Sequence, residues 1–171
     1  MPGTSFGTLD SAMVIRAADL LERLAARGLT LATAESCTGG LVAGLLTEPA
    51  GASRVVLAGF VTYSNAAKAR TLGVAESLLE QHGAVSEPVA RAMAEGALAA
   101  SDAEISVAIT GIAGPDGGSA EKPVGLVHFA AAKRGSRTLH VEQRFGAIGR
   151  GPVRRAAVLQ ALDLIEEIAG S

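Results

Sequence analysis

Tryptophan is absent from this chain, and aromatic residues fill only 3% of its 171 positions. Proteins that hold single strands stack bases on aromatic rings, and proteins that hold duplexes need a basic field. Neither feature is present. The 15 Lys and Arg against 17 Asp and Glu leave a net charge of −2, and the basic residues are scattered apart from Arg150, Arg154 and Arg155. Nucleic acid is therefore not an expected partner. A single cysteine, Cys37, excludes an internal disulfide and a cysteine-cluster metal site, and fits a reducing compartment. No apolar run reaches the ~18 residues of a membrane span. Residues 1–10 lack the basic-then-apolar order of a signal peptide and read as a flexible leader. No membrane partner is expected, and the expected location is cytoplasmic. No His/Asp set has metal-ligand spacing, and the glycines match neither the Walker A nor the dinucleotide pattern. Neither a metal nor a cofactor is expected.

Apolar residues are plentiful at 49%, and glycine occurs 21 times. The apolar mass is Ala, Val, Leu and Ile, which implies elements packed close together through small side chains. A chain of this length buries roughly 70% of its unfolded surface, so residues 11–171 read as a single domain. Helical spacing of Val14, Ala17, Leu21 and Leu24 predicts a first helix over about 11–26, ended by Gly28. A β-prone run from Leu29 stops at Glu35-Ser36, and a short helix follows to about Leu46. Val55 to Tyr63 is apolar almost throughout, as expected of a strand covered on both faces. Two short helices follow, over about 66–72 and 75–82; a longer one starts at Ser86-Glu87-Pro88. Strands are expected over 104–110, 124–132 and 137–145, and a last helix from about Pro152. Strands separated by helices imply an α/β fold, a three-layer α/β/α sandwich. Its mixed, mostly parallel sheet is expected to end in an antiparallel hairpin.

In such sheets the ligand crevice lies beyond the carboxyl ends of the strands. Three polar clusters fall there: Ser36-Cys37-Thr38, Thr62-Tyr63-Ser64-Asn65, and the stretch from Thr110 to Ser119. Ser36 is a candidate nucleophile at a strand-to-helix junction, where unpaired amides favour negative charge. Gly39 and Gly40 remove side chains that would block those amides. An ordinary capped helix start uses the same residue types. A serine needs a base. His82, His128 and His140 all fall away from strand carboxyl ends, so Lys68 is the better candidate, given burial enough to lower its pKa. A solvated lysine on a polar helix face is the competing reading. Thr110 is placed to relay a proton or to fix the lysine. Glu35 either orients Lys68 or caps a helix. Gly111, Gly114, Gly117 and Gly118 expose backbone N–H groups suited to a phosphate or sugar, and Asp116 can accept from a ribose hydroxyl. A Gly-Pro-Asp-Gly turn needs no ligand.

Several stretches occur together and in order: Thr33-Ala-Glu-Ser-Cys-Thr-Gly-Gly40; Gly59-Phe-Val-Thr-Tyr-Ser-Asn65 with Lys68; His82-Gly-Ala-Val-Ser-Glu-Pro88; Thr110 to Gly118; and Lys122-Pro-Val-Gly125. Jointly they resemble the CinA C-terminal family, the nicotinamide-nucleotide amidohydrolases also called PncC, from about Ser11 to Ile168. The resemblance implies hydrolysis of nicotinamide mononucleotide to nicotinate mononucleotide and ammonia, in pyridine nucleotide recycling, by a stand-alone form of the unit. It implies a Ser36–Lys68 catalytic pair with Thr110 as hydroxyl partner. Substrate contacts are expected from Glu35, Thr38, Gly39, Gly40, Tyr63, Asn65, the glycine loop with Asp116, and Arg150. The amides near Thr38, Gly39 and Gly40 are expected to hold the oxyanion. One departure is clear: where the family carries an acidic residue before the arginine of the last helix, this chain has Gly149. A homo-oligomer, first of all a dimer, is expected. Two other readings stand beside this one: Cys37 as nucleophile, and a non-catalytic nucleotide- or partner-binding module linked to competence or DNA damage.

Overall fold

The structure, a computed structural model, describes residues 9–171. Most of the expected leader, residues 1–8, lies outside the described residues. Leu9 packs against the core, and Asp10 caps the first helix, its Oδ1 accepting the Met13 amide at 3.0 Å. The elements follow in order: α1 (Ser11–Ala26), β1 (Leu31–Glu35), α2 (Leu41–Thr47), β2 (Val56–Val61), α3 (Asn65–Leu72) and α4 (Glu76–His82). Then come α5 (Glu87–Ala99), β3 (Ile105–Gly111), β4 (Leu126–Lys133), β5 (Leu139–Arg144) and α6 (Arg150–Gly170).

The five strands lie in the order β2-β1-β3-β4-β5. β1 is parallel to both β2 and β3, whereas β4 is antiparallel to β3 and to β5. Four strands therefore share one direction, and the hairpin expected at the end of the sheet is β4–β5. Alternation splits the core by face. Leu31, Ile105, Val107, Ile109, Val127 and Phe129 face α1, α2 and α6. Ala32, Ala34, Ala108, Ala130 and Ala132 face α3, α4 and α5. The second face is almost all alanine, so α5 comes close enough for the Ser106 hydroxyl to donate to the Ala94 carbonyl at 2.6 Å.

β2 departs from the expectation of cover on both faces. It is an edge strand with a register irregularity beside Leu31, and Leu57 and Val61 remain 46% and 52% exposed. An unbroken apolar run marks a strand but does not say how many neighbours cover it. Helix starts were legible where a side chain caps them: the Ser64 Oγ accepts the Ala67 amide at 3.1 Å, and Gly73 ends α3 at φ 66°. Ser86 occupies the cap position of α5, yet its hydroxyl turns back to donate to the Gly83 carbonyl at 2.8 Å.

The seating of α3 is set by one glycine. A Cβ on Gly96 of α5 would lie 2.0 Å from the Leu72 carbonyl oxygen, so any side chain there drives the two helices apart. Gly96→Ala is expected to destabilise the protein by about 1–3 kcal/mol, the usual cost of overpacking. A urea titration of the variant against the parent checks this.

Candidate active site

Parallel strands β2, β1 and β3 end side by side at Val61, Glu35 and Gly111. β1 connects outward to β2 through α2, while β3 lies on the other flank of β1. This is the switch point at which α/β sheets open a crevice. A cleft of about 300 Å³ lies there. Its lining includes Ser36, Cys37, Tyr63, Lys68, Thr110, Gly111, Gly114, Asp116, Gly117, Gly118 and Arg150.

Ser36 follows the last residue of β1, and its amide donates to the Ile109 carbonyl at 2.9 Å. Lys68, on the first turns of α3, is only 1% exposed. Its Nζ lies 3.0 Å from the Ser36 Oγ, 2.9 Å from the Thr62 carbonyl oxygen and 3.3 Å from that of Tyr63. No carboxylate is among these partners. Burial pulls the Lys68 pKa below its ordinary value, with Cys37 opposing. A neutral amine has two N–H donors and one lone pair. In that form the two carbonyls would take both donors and leave the lone pair for the serine hydroxyl.

Glu35 is a fully buried carboxylate that serves α2. Its Oε2 accepts the Gly40 and Val42 amides at 3.0 and 3.1 Å, and its Oε1 accepts the Ala43 amide at 2.8 Å. Carboxylates are favoured at such helix N-termini. The geometry selects the helix-capping alternative for Glu35 and corrects the substrate contacts expected of Glu35, Thr38, Gly39 and Gly40. Glu35 neither orients Lys68 nor lines the cleft, because its oxygens are committed to α2. The Gly40 amide is taken by Glu35, and the Gly39 amide donates to the Ser36 carbonyl at 3.0 Å, so neither is free for an oxyanion. Thr38 is fully buried, outside the cleft lining. Among the described residues, the turn amides of Cys37 and Thr38 donate to no backbone carbonyl.

Thr110 lines the cleft but does not bond Lys68; its hydroxyl donates to the Ala84 carbonyl at 2.8 Å and so ties down the loop between α4 and α5. Its lone pairs remain able to accept. Asn65 is exposed and lines a separate groove with Glu76 and Glu80. Arg150 bridges the rim: its Nη1 donates to the Gly114 carbonyl at 3.0 Å and its Nη2 to the Tyr63 hydroxyl at 3.1 Å. α6 begins at Arg150, two residues before the expected start, with Gly149 at its cap position. That glycine has φ 102°, a backbone that suits glycine better than the acidic residue of the family pattern.

Three contributors were not singled out in the sequence. Ala84 and Val85 reach the cleft from the α4–α5 loop; their only signal was the 82–88 stretch. Arg154 reaches from the second turn of α6 to donate through Nε to the Cys37 carbonyl at 3.1 Å and through Nη2 to the Thr38 carbonyl at 3.0 Å. Its basic neighbours gave it no distinction in the sequence.

Competing sites are weaker. Cys37 is 6% exposed among the apolar residues of the first core face. Burial pushes its thiol up to about 12, where little thiolate forms. His128 and His140 stack on each other, Nδ1 to Nε2 at 3.0 Å, and none of the three histidines lines the cleft. A larger groove of about 720 Å³ lies between α1 and the end of α6. Arg16 and Arg23 in its wall are paired with Asp163 and Glu166, and it holds no nucleophile. Among the described residues, no group of three or more His, Cys, Asp or Glu is placed to hold a metal ion, and no helix is long and apolar enough to cross a membrane.

The chain is similar to known proteins over nearly its full length. The nicotinamide-nucleotide amidohydrolase PncC of Escherichia coli (strain K12) is 51% identical over 156 residues, covering 91% of this chain and 94% of that one. A CinA-like protein of Anaeromyxobacter dehalogenans is 56% identical over 147 residues, 85% of this chain. The chain spans 26% and 35% of the lengths of the relatives from Symbiobacterium thermophilum and Anaeromyxobacter dehalogenans. The crystal structure of the competence/damage inducible protein CihA from Agrobacterium tumefaciens matches with a TM-score of 0.92 at 50% identity, covering 94% of this chain and 98% of that one. The CinA C-terminal domain pattern matches residues 15–169, and with the shared fold this establishes that the chain belongs to the CinA C-terminal domain family.

Proposed function

We propose that this protein is an amidohydrolase that converts nicotinamide mononucleotide to nicotinate mononucleotide and ammonia through a Ser36–Lys68 pair. The observation that carries the reading is the buried 3.0 Å contact between Lys68 Nζ and Ser36 Oγ at the mouth of the cleft. The name of the Escherichia coli relative supports the substrate class.

Neutral Lys68 takes the Ser36 proton as Oγ bonds to the carboxamide carbon. The carbonyl oxygen becomes an oxyanion, held by the Cys37 amide, a stabilisation worth roughly 3–4 kcal/mol per donor in comparable sites. The C–N bond then breaks, and the proton on Lys68 goes to the leaving nitrogen, which departs as ammonia. Water enters, loses a proton to Lys68 and attacks the ester carbon. The proton returns to Ser36 Oγ as the acid product leaves. Arg150 supplies positive charge at the rim for the phosphate, and Asp116 an acceptor for a ribose hydroxyl.

Ammonia release from nicotinamide mononucleotide tests the reading. Ser36→Ala and Lys68→Met are both expected to reduce turnover at least ~10³-fold with the fold retained by circular dichroism; near-parental turnover in either variant refutes the pair. Calorimetric binding of the nucleotide without ammonia release by the parent favours a binding module instead.

Two pH effects follow from the depressed Lys68 pKa. The base is active when neutral, so kcat/KM is expected to rise with pH through a value below the ordinary lysine 10.5 and then level off. Stability moves the same way. Between the folded and unfolded pKa values the unfolded chain binds the extra proton, so the parent gains stability as pH rises through that window. Lys68→Met lacks this dependence and is expected to be the more stable protein at neutral pH, as the difference in melting temperature across a pH series measures.

A further inference from the structure

Arg155 pairs with Asp10 across the surface, as an arginine on an exposed helix face is expected to do. Its neighbour Arg154 does not. Among the described residues Arg154 has no carboxylate within ion-pair distance, and two of its nitrogens donate to the consecutive carbonyls of Cys37 and Thr38. Glu35, the acid in the adjoining strand, is occupied by the amides of α2. A planar guanidinium therefore spends its donors on two main-chain oxygens in the turn that follows the serine.

The peptide between Cys37 and Thr38 is planar and trans, so its C=O and N–H point in opposite directions. Its carbonyl is drawn toward α6, which covers one face of the sheet. Its N–H consequently points away from α6, and the turn is held from that side alone. The positive charge also polarises this peptide and strengthens its N–H as a donor. Gly39 turns the chain beneath the guanidinium at φ 59°, a backbone that suits glycine.

We infer that Arg154 is a positioning residue for the reaction: its fork on the Cys37 and Thr38 carbonyls fixes the turn after Ser36, and through it the place of the Cys37 amide at the cleft, where the oxyanion develops. The inference rests on the amidohydrolase reading for its substrate, but not for its geometry, because any addition at Ser36 that builds negative charge on oxygen uses the same turn.

The test compares the parent with Arg154→Gln, Arg154→Lys and Arg154→Ala. Two readouts are taken: ammonia release from nicotinamide mononucleotide, and the rate at which phenylmethanesulfonyl fluoride modifies Ser36, followed by intact mass. Arg154→Gln is expected to lose about 100-fold in kcat with KM within about threefold, and to lose a similar factor in Ser36 modification. Arg154→Lys, which can reach one carbonyl, is expected to fall between the two. Added guanidinium ion at non-denaturing concentration is expected to restore part of the kcat of Arg154→Ala. A folded Arg154→Gln with parental kcat or a parental modification rate overturns the inference, as does a loss that appears wholly in KM. A parent that releases no ammonia but is modified at Ser36 far faster than Arg154→Gln removes the substrate assignment and leaves the inference standing. A parent inert in both assays removes both.

Discussion

An amine buried to 1% exposure with only neutral oxygens around it is the constraint on which this structure turns. Charged, Lys68 would sit in a low-dielectric setting without a counter-ion, a state that costs several kcal/mol. Neutral, it fits its surroundings: two carbonyls for its two N–H groups and a hydroxyl for its lone pair. The fold thus holds the Ser36 hydroxyl against a buried amine whose pKa burial lowers.

Three residues outside the cleft lining hold that arrangement in place. Gly96 lets α3 lie against α5 closely enough for Lys68 to reach across the end of β1. Glu35 anchors α2 to the strand that delivers Ser36, taking the amides that a helix start leaves unpaired. Arg154 fastens the intervening turn from the opposite layer. The strand, the turn and both helices meet here, and the amides left over by Glu35 and the Ser36 carbonyl are those of Cys37 and Thr38.

Much of the fold was legible locally. Ser64 and Gly28 mark helix ends, whereas Asp10, read as part of the leader, caps the first helix; the alanine-rich strands announced a closely packed sheet. β2 was harder, because its apolar run looks alike at an edge and in the interior. The candidate site was legible at Ser36, Lys68 and the glycine loop, since unusual polar residues at strand ends stand out in sequence. The division of labour within Thr33–Gly40 was not. Glu35, Gly39 and Gly40 carry the same sequence signal as the cleft residues, yet they spend their polar atoms on the backbone.

The sequence by itself therefore determined what depends on neighbours along the chain: where helices and strands begin, which faces are apolar, and which strand ends carry reactive groups. Family resemblance added the expectation that Ser36 and Lys68, 32 residues apart, act together, and the two side chains are in contact. Only the tertiary structure decided which face of β1 meets which helix, that Thr110 bonds Ala84 and not Lys68, and that an arginine 116 residues beyond Thr38 braces its carbonyl. Those outcomes depend on the order of strands in the sheet and on which hydrogen-bond partner arrives first at each orphan amide or carbonyl. Such competition is settled in space, and no local spacing encodes its result.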